Sequence, residues 1–487
     1  MFCRNTAAAA LAVAFAASAP AWAAEDAELQ QIRDEIKALK DAYEARIKAL
    51  EERLRQSQTT GAPVPQQAET TGATSQQQSE PAASQAAAPA PPAPGYGAAT
   101  GTQSSANAFN PAISLILSGL YANLSNPGNQ ITGFHVPPGT AIGPGAGTGL
   151  GGVRGFSLTE SELGIYANID PYFYGGFNFA VEPDNSVETE EAFIQTIGLS
   201  HGLTVKAGRF FSGIGYLNEQ HMHVWDFVDA PLAYQAFLGS QMNDDGVQLR
   251  WLAPTETFLE FGAEVGRGRN FPGSDRDKNG VGSSALFAHM GGDVGDSHSW
   301  RAGLSLLQTS PQDRQFDDTD LAGVAVRDSF TGTSRLWIAD FVWKYAPNGN
   351  SYYTNFKLQG EYLRRSENGN VTYDINGASL GPSIAGYSST QSGWYLQGVY
   401  QFMPYWRVGL RTEQLYTGSV DYGVNNAFIA RPEFDPRKNS VMVDYSPSEF
   451  SRIRLQLAQD KSREEATDNQ IFVQYMMSLG AHGAHQF

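Results

Sequence analysis

Between residues 108 and 487, runs of alternating apolar and polar residues recur about sixteen times, joined by connections that are short and long in turn. Tight connections fall at Asp170-Pro171, His201-Gly202, Pro254-Thr255, Val294-Gly295, Pro347-Asn348-Gly349, Pro404 and Pro447-Ser448. Pro and Gly at such points form turns and cannot continue a ladder. Most other connections are long, at 125–153, 211–242, 267–283, 310–332, 367–390 and 417–438, while 183–187 and 461–467 are short. An even strand number with one short-turn side and one long-loop side specifies an all-β transmembrane barrel of about sixteen antiparallel strands. The short turns, and with them both termini, are then expected in the periplasm of a Gram-negative bacterium.

The alternation also sorts the side chains. In 256–266, Thr257, Leu259, Phe261, Ala263 and Val265 share one face, and Glu256, Glu260 and Glu264 the other. In 404–416, Trp406, Val408 and Leu410 alternate with Arg407, Gly409, Arg411 and Glu413; in 449–460, Ile453, Leu455 and Leu457 alternate with Arg452, Arg454 and Gln456. A charge facing lipid at mid-depth costs ~2–4 kcal/mol, so the charged faces are expected to be luminal. Tyr172, Tyr174, Trp251, Trp343, Tyr345, Tyr405 and Trp406 lie near strand ends, where interface girdles sit.

Arg4, an apolar run over residues 7–18 and Ala21-Trp22-Ala23 mark residues 1–23 as a secretory signal peptide. The single cysteine, Cys3, lies inside it, so the mature chain has no thiol or disulfide. No later stretch is apolar for the ~18 residues a membrane helix needs. In residues 24–56, Leu29, Ile32, Ile36, Leu39, Tyr43, Ile47, Leu50 and Leu54 recur every three or four positions between charged faces, a coiled-coil seam. One such helix per chain takes its partners from other copies, so a homo-oligomer is expected, dimer and trimer both open. Residues 57–107 are a Pro/Ala/Gln/Ser-rich linker whose only charges are Glu69 and Glu80. The net charge of −17 argues against nucleic acid as a partner.

Two charge populations share the expected luminal faces. Lys357, Arg365, Arg407, Arg411, Arg452 and Arg454 form a basic wall from the C-terminal third; Glu160, Glu162, Glu260 and Glu264 form an acidic wall from the N-terminal half. Opposed across a water-filled pore they would set up a transverse field that tunes selectivity; mutual pairing in a polar lumen is the plainer alternative. Loop 211–242 is too apolar for a solvated loop, and the barrel interior offers a surface to bury it. It is expected to fold inward and narrow the pore, with Glu219, Asp226 and Asp229 facing the arginine wall. A cap over the mouth or a subunit contact is the alternative. His221 and His223, with Glu219 two residues earlier, have a spacing that could chelate zinc; His482 and His485 are a second pair. Asp275, Asp277 and Asn279 match the start of a calcium loop, but Leu286 stands where an EF-hand needs Glu, leaving a calcium-pinned turn or a plain solvated one. No G-x-S-x-G, H-E-x-x-H or phosphate-binding glycine loop occurs, and no enzyme activity is expected.

Helix 25–56, linker 57–107, about sixteen strands and loop 211–242 after the fifth strand together resemble the trimeric outer-membrane porins with an N-terminal periplasmic coiled coil, the DcaP-like group, and more loosely the phosphate-selective porins. The resemblance implies a homotrimer, passive diffusion of small and often charged solutes, and that loop as the constriction. The barrel lysines, Lys206, Lys278, Lys344, Lys357, Lys438 and Lys461, form no ladder like that of the phosphate channels, so phosphate selectivity is not expected. The expected function is a porin in contact with outer-membrane lipid. One alternative is a zinc-regulated receptor of the TonB-dependent type or a metal-uptake channel, although 380 residues are few for a 22-stranded barrel with a plug. Another is a structural tether to the cell wall through the coiled coil, the pore being incidental.

Overall fold

The computed structural model describes residues 111–126, 130–138, 154–159, 161–181, 186–431 and 433–480, together with Lys37 and Lys48, both helical and exposed. The signal peptide, the 24–56 seam, the 57–107 linker, Glu160, and His482 and His485 lie outside the described residues. The chain divides into two units, Met1–Ala88 and Pro89–Phe487, and the second carries the strands.

The strand segments are β1 (Ala112–Leu124), β2 (Gly155–Leu158), β3 (Ser161–Asn168), β4 (Phe173–Val181), β5 (Val187–Thr196), β6 (Leu203–Phe211), β7 (Asn243–Leu252), β8 (Phe258–Gly266), β9 (Ser283–Val294), β10 (His298–Thr309), β11 (Arg314–Thr319), β12 (Ala325–Tyr345), β13 (Asn355–Tyr373), β14 (Ser383–Met403), β15 (Trp406–Asp421), β16 (Arg437–Ser448), β17 (Ser451–Arg463) and β18 (Ala466–Gly480). They make sixteen staves. Segments β2 and β3 both pair with β1 and are one stave with an extra residue between them, a bulge. Segments β10 and β11 both pair with β12 and are likewise one stave. Each stave is antiparallel to its neighbours, and β1 closes the sheet by pairing with β18 (Ser114 opposite Gly480) and with β3 (Ala112 opposite Tyr166). The fold is the closed sixteen-stranded antiparallel barrel expected of an outer-membrane protein, and closure leaves no edge to be satisfied in lipid.

The two faces follow the sequence alternation. On β17, Ile453, Leu455 and Leu457 are each 44% exposed while Arg454 and Gln456 are buried; on β8, Phe261 and Val265 are exposed while Glu260 and Glu264 are buried. The outer face is therefore apolar and the charges point inward. Tyr174 departs from the expected girdle. It lies on the inward parity of β4 with Asn178 and stacks on Tyr166 of β3, ring centroids 6.4 Å apart.

Most tight turns fall where Pro and Gly place them, although Pro447 and Ser448 are the end of β16, at a register shift, and the turn follows at Glu449-Phe450; the far side differs more from expectation. Strands β12 and β14 run 21 residues and β13 runs 19, against the ~9–11 a tilted spanning strand needs. Much of the expected loops 310–332, 367–390 and 417–438 is strand. The cause shows on the outer face of β13, which is apolar at Phe356, Leu358 and Tyr362 and then polar at Arg364, Ser366, Asn368 and Asn370. These hairpins continue beyond the apolar band and close over a second core of Phe316, Val326, Phe330, Val371, Tyr373, Tyr387, Tyr422 and Ile429.

Candidate functional site: an apolar loop held between charged barrel walls

The connection 212–242 between β6 and β7 lies inside the barrel, and nearly all of it is buried. Its two ends meet, Ser212 N–H donating to Met242 O at 3.0 Å, so the segment is an excursion from adjacent strands. Ile214, Leu217, Trp225 and a short helix α1 (Leu232–Leu238) pack with inward residues of the wall, Ala285, Leu307, Leu336, Ile338, Leu363, Tyr395 and Leu415. These wall positions are apolar inside a barrel whose other inward residues are mostly polar. They are the surface that the loop's Leu, Phe and Trp side chains need, and burial of each such side chain is worth roughly 1.5–3 kcal/mol.

Polar groups fix the register. All seven residues of α1 are buried, and Leu232 N–H at its start donates to Glu413 Oε2 at 2.5 Å, so a wall carboxylate caps the helix end whose donors would otherwise be orphaned. Gly239 ends the helix at φ 65°, the left-handed conformation that glycine adopts without cost. Gly215, at φ 68°, brings its backbone so close to Glu361 and Tyr234 that a Cβ would collide with both. Glu361 in turn accepts from Leu217 N–H (3.0 Å), Tyr216 N–H (3.2 Å) and Tyr234 O–H (2.8 Å).

The loop carboxylates meet the basic wall. Asp229 accepts from Lys438 Nζ (2.6 Å), Arg411 Nη2 (2.8 Å) and Gln456 Nε2 (2.9 Å), with every charged partner buried. Asp226 pairs with Lys357 and, at 3.3 Å, with Arg407, which also donates to Asp444 at 2.5 Å. Arg454 bridges Asp444 (2.7 Å) and Trp225 O (2.8 Å), and Arg452 donates to His223 O at 2.5 Å. Two expected residues go elsewhere. Glu219 turns away from this wall to Arg250 on β7. Arg365 meets no loop carboxylate; it lies 3.8 Å from Glu367, bonds Gln391 at 2.9 Å and sits over the Phe237 ring.

The described acidic residues are engaged on their own side of the barrel. Glu264 accepts from Ser212 Oγ (2.5 Å) and Gly213 N–H (2.8 Å), and Glu260 lies 3.1 Å from His289 and 3.6 Å from Arg250. Glu162 meets His223 Nδ1 at 2.6 Å and His221 Nδ1 at 3.3 Å. Asp275, Asp277 and Asn279 are exposed, and Asp275 is bonded to Arg267 at 2.8 Å; they form no cluster of the kind made by Glu162, His221 and His223.

Sequence reasoning missed several partners: Glu190, Glu191, Arg250, Glu361, Glu413, Lys438 and Asp444. Alternation already placed Glu361 on the face of Lys357 and Arg365, and Glu413 on that of Arg411; their contacts depend on cross-strand register. A second inward segment, 130–138, was also missed. Its Ile131 and Phe134 join the loop core, Phe134 lying edge-on to Phe237 at 5.6 Å, and its His135 bonds Tyr422 Oη at 2.6 Å.

No family model matches the sequence. Among solved structures, the outer-membrane channel DcaP of Acinetobacter baumannii is 12% identical with a TM-score of 0.43 over 76% of this chain and 97% of that one. An anion-selective porin from Comamonas acidovorans is 10% identical with a TM-score of 0.45 over 76% and 99%. Pseudomonas putida OprB is 12% identical with a TM-score of 0.45 over 76% and 94%. An uncharacterized protein of Aquifex aeolicus (strain VF5) is 31% identical over 407 residues, 79% of this chain and 81% of its own length, and this chain, a sixteen-stranded outer-membrane-type barrel, belongs to the same family as that protein.

Proposed function

We propose that the protein is an outer-membrane channel for passive diffusion of small anionic solutes, constricted by loop 212–242. The observation that carries this reading is a contrast in exposure. The side chains of Arg407 and Lys357 are 25% and 19% exposed, while their partners Asp226 and Asp444 are 4% and 0% exposed. Arg301, Lys344 and Arg452, also inward and partly exposed, extend the basic surface, and Lys344 stands directly opposite Lys357 in the sheet. At these pairs luminal water meets the cationic ends while Asp226 and Asp444 stay covered, an arrangement that favours anions in a narrow pore.

The reading carries with it a homotrimer held by the 24–56 coiled coil, both termini in the periplasm and contact with the cell wall through the coiled coil. The mass of the detergent-solubilised protein with and without residues 24–56 tests the first. Selectivity is tested by the reversal potential of the purified full chain in a planar bilayer under a potassium chloride gradient. The expected sign is that of an anion channel, moved toward cations by Arg301→Gln with Lys344→Gln. Cation selectivity in the unaltered protein contradicts the proposal.

A further inference from the structure

We infer that Glu162, Glu190, His221 and His223 form a site for a divalent transition metal of the zinc class, fastening loop 212–242 to β3 and β5. This goes beyond the channel reading and does not depend on it. His221 Nδ1 lies 3.3 Å from Glu162 Oε2 and 3.3 Å from Glu190 Oε2, and His223 Nδ1 lies 2.6 Å from Glu162 Oε1. One donor atom from each of Glu162, His221 and His223 falls within 4.8 Å of the others, and no other group of His, Cys, Asp or Glu among the described residues meets that spacing. Zinc bonds to imidazole and carboxylate of about 2.0–2.1 Å put tetrahedral neighbours about 3.3 Å apart, which is the separation around His221 Nδ1.

The surroundings are built for such an ion. All four residues are buried. The other nitrogen of His221, Nε2, lies 3.2 Å from Glu191 Oε2, the carboxylate–histidine arrangement that orients a metal-bound imidazole. Glu162 Oε2 accepts from Asn178 Nδ2 at 2.9 Å, and the buried Glu190 Oε2 accepts no hydrogen bond. The charge balance points the same way. Glu162, Glu190 and Glu191 bring three buried carboxylates together around His221 and His223; Lys206 is the ammonium that faces Glu191, and Arg452 donates to the backbone of His223 and to Met476 Sδ. A dication between these groups offsets part of that negative charge and takes both imidazoles as neutral ligands. Imidazole with carboxylate suits zinc and its neighbours better than calcium, which takes oxygen ligands throughout. Glu219, the third ligand suggested by sequence spacing, is committed to Arg250, and a β3 carboxylate takes that place.

Titration calorimetry of the full mature chain in detergent, stripped with a chelator and titrated with Zn²⁺ near neutral pH, tests the site. The expected result is one zinc per chain, with binding weakened at least about tenfold in folded His223→Gln and about 10–100-fold in Glu191→Gln, as for a partner of a metal-bound histidine. Cobalt in place of zinc is expected to show the intense visible bands of tetrahedral coordination. Absence of stoichiometric binding, or an affinity unchanged by both His223→Gln and Glu162→Gln, overturns the proposal and leaves a protonated His221 as the bridge between the carboxylates. The readout is binding and not current, so failure of the channel reading leaves it intact.

Discussion

Asp229 shows how single residues hold the loop. Its carboxylate joins Arg411 and Lys438, and each of the three is at most 2% exposed in its side chain. Removing one member of such a group leaves a buried charge without its partner, at a cost of roughly 3–5 kcal/mol. Asp229→Asn is expected to lower the urea midpoint of the refolded barrel accordingly and to make 212–242 sensitive to protease. His135 gives a pH-dependent counterpart. Burial, helped by Arg365, pulls its imidazole down to about 3 from an unfolded value of 6.5. The contribution of the neutral ring is complete above pH 6.5 and is lost as pH falls from there toward 3, because the unlocked segment binds the proton that the packed one does not. Hydrogen-exchange protection of 131–136 is expected to fall by about an order of magnitude between pH 7 and pH 5. His135→Phe should remove that dependence, and equal protection at both pH values would contradict the assignment. These residue-level partners were the least legible part of the sequence. Alternation says which face Asp444 or Glu413 occupies, but pairing across strands depends on a register that one strand's sequence does not contain.

At the scale of elements, the alternation of β8, β15 and β17 was legible because lipid on one side and polar lumen on the other impose a strict period of two. Leu455→Arg, on the lipid face of β17, is expected to cost ~2–4 kcal/mol and to reduce the folded, heat-modifiable fraction on gels. Ser366→Arg, on the same outward parity of β13 but past the apolar band, is expected to leave that fraction unchanged, within about 0.5 kcal/mol. Equal losses would move the membrane boundary from its place next to Tyr362. The outer halves of β12 to β14 were taken for loops for the same reason. Beyond the bilayer their outward residues, such as Asn368 and Asn370, carry no apolar signal, and the strands there rest on cross-strand hydrogen bonds and the core around Phe330 and Tyr373. Loop 212–242 was legible by its excess. Its Trp, Phe and Leu side chains required a surface; all three carboxylates were expected at the arginine wall, and the structure places Asp226 and Asp229 there but Glu219 at Arg250.

For the whole molecule, the barrel supplies a lipid-compatible shell, and the loop is seated inside it on apolar wall patches and locked by Asp226, Asp229 and Glu361; in the function proposed above it sets the cross-section of the pore. In that proposal the chain's overall acidity is not what a solute meets beside Arg407 and Lys357, where the carboxylates are covered and the cationic ends are not. The most direct test of this account is the single-channel conductance of the full chain against a variant in which residues 213–241 are replaced by a short Gly/Ser turn, which the adjacent Ser212 and Met242 can accommodate. The account predicts a several-fold larger conductance in the shortened protein with the barrel still folded. A folded variant whose conductance equals that of the full chain would contradict it.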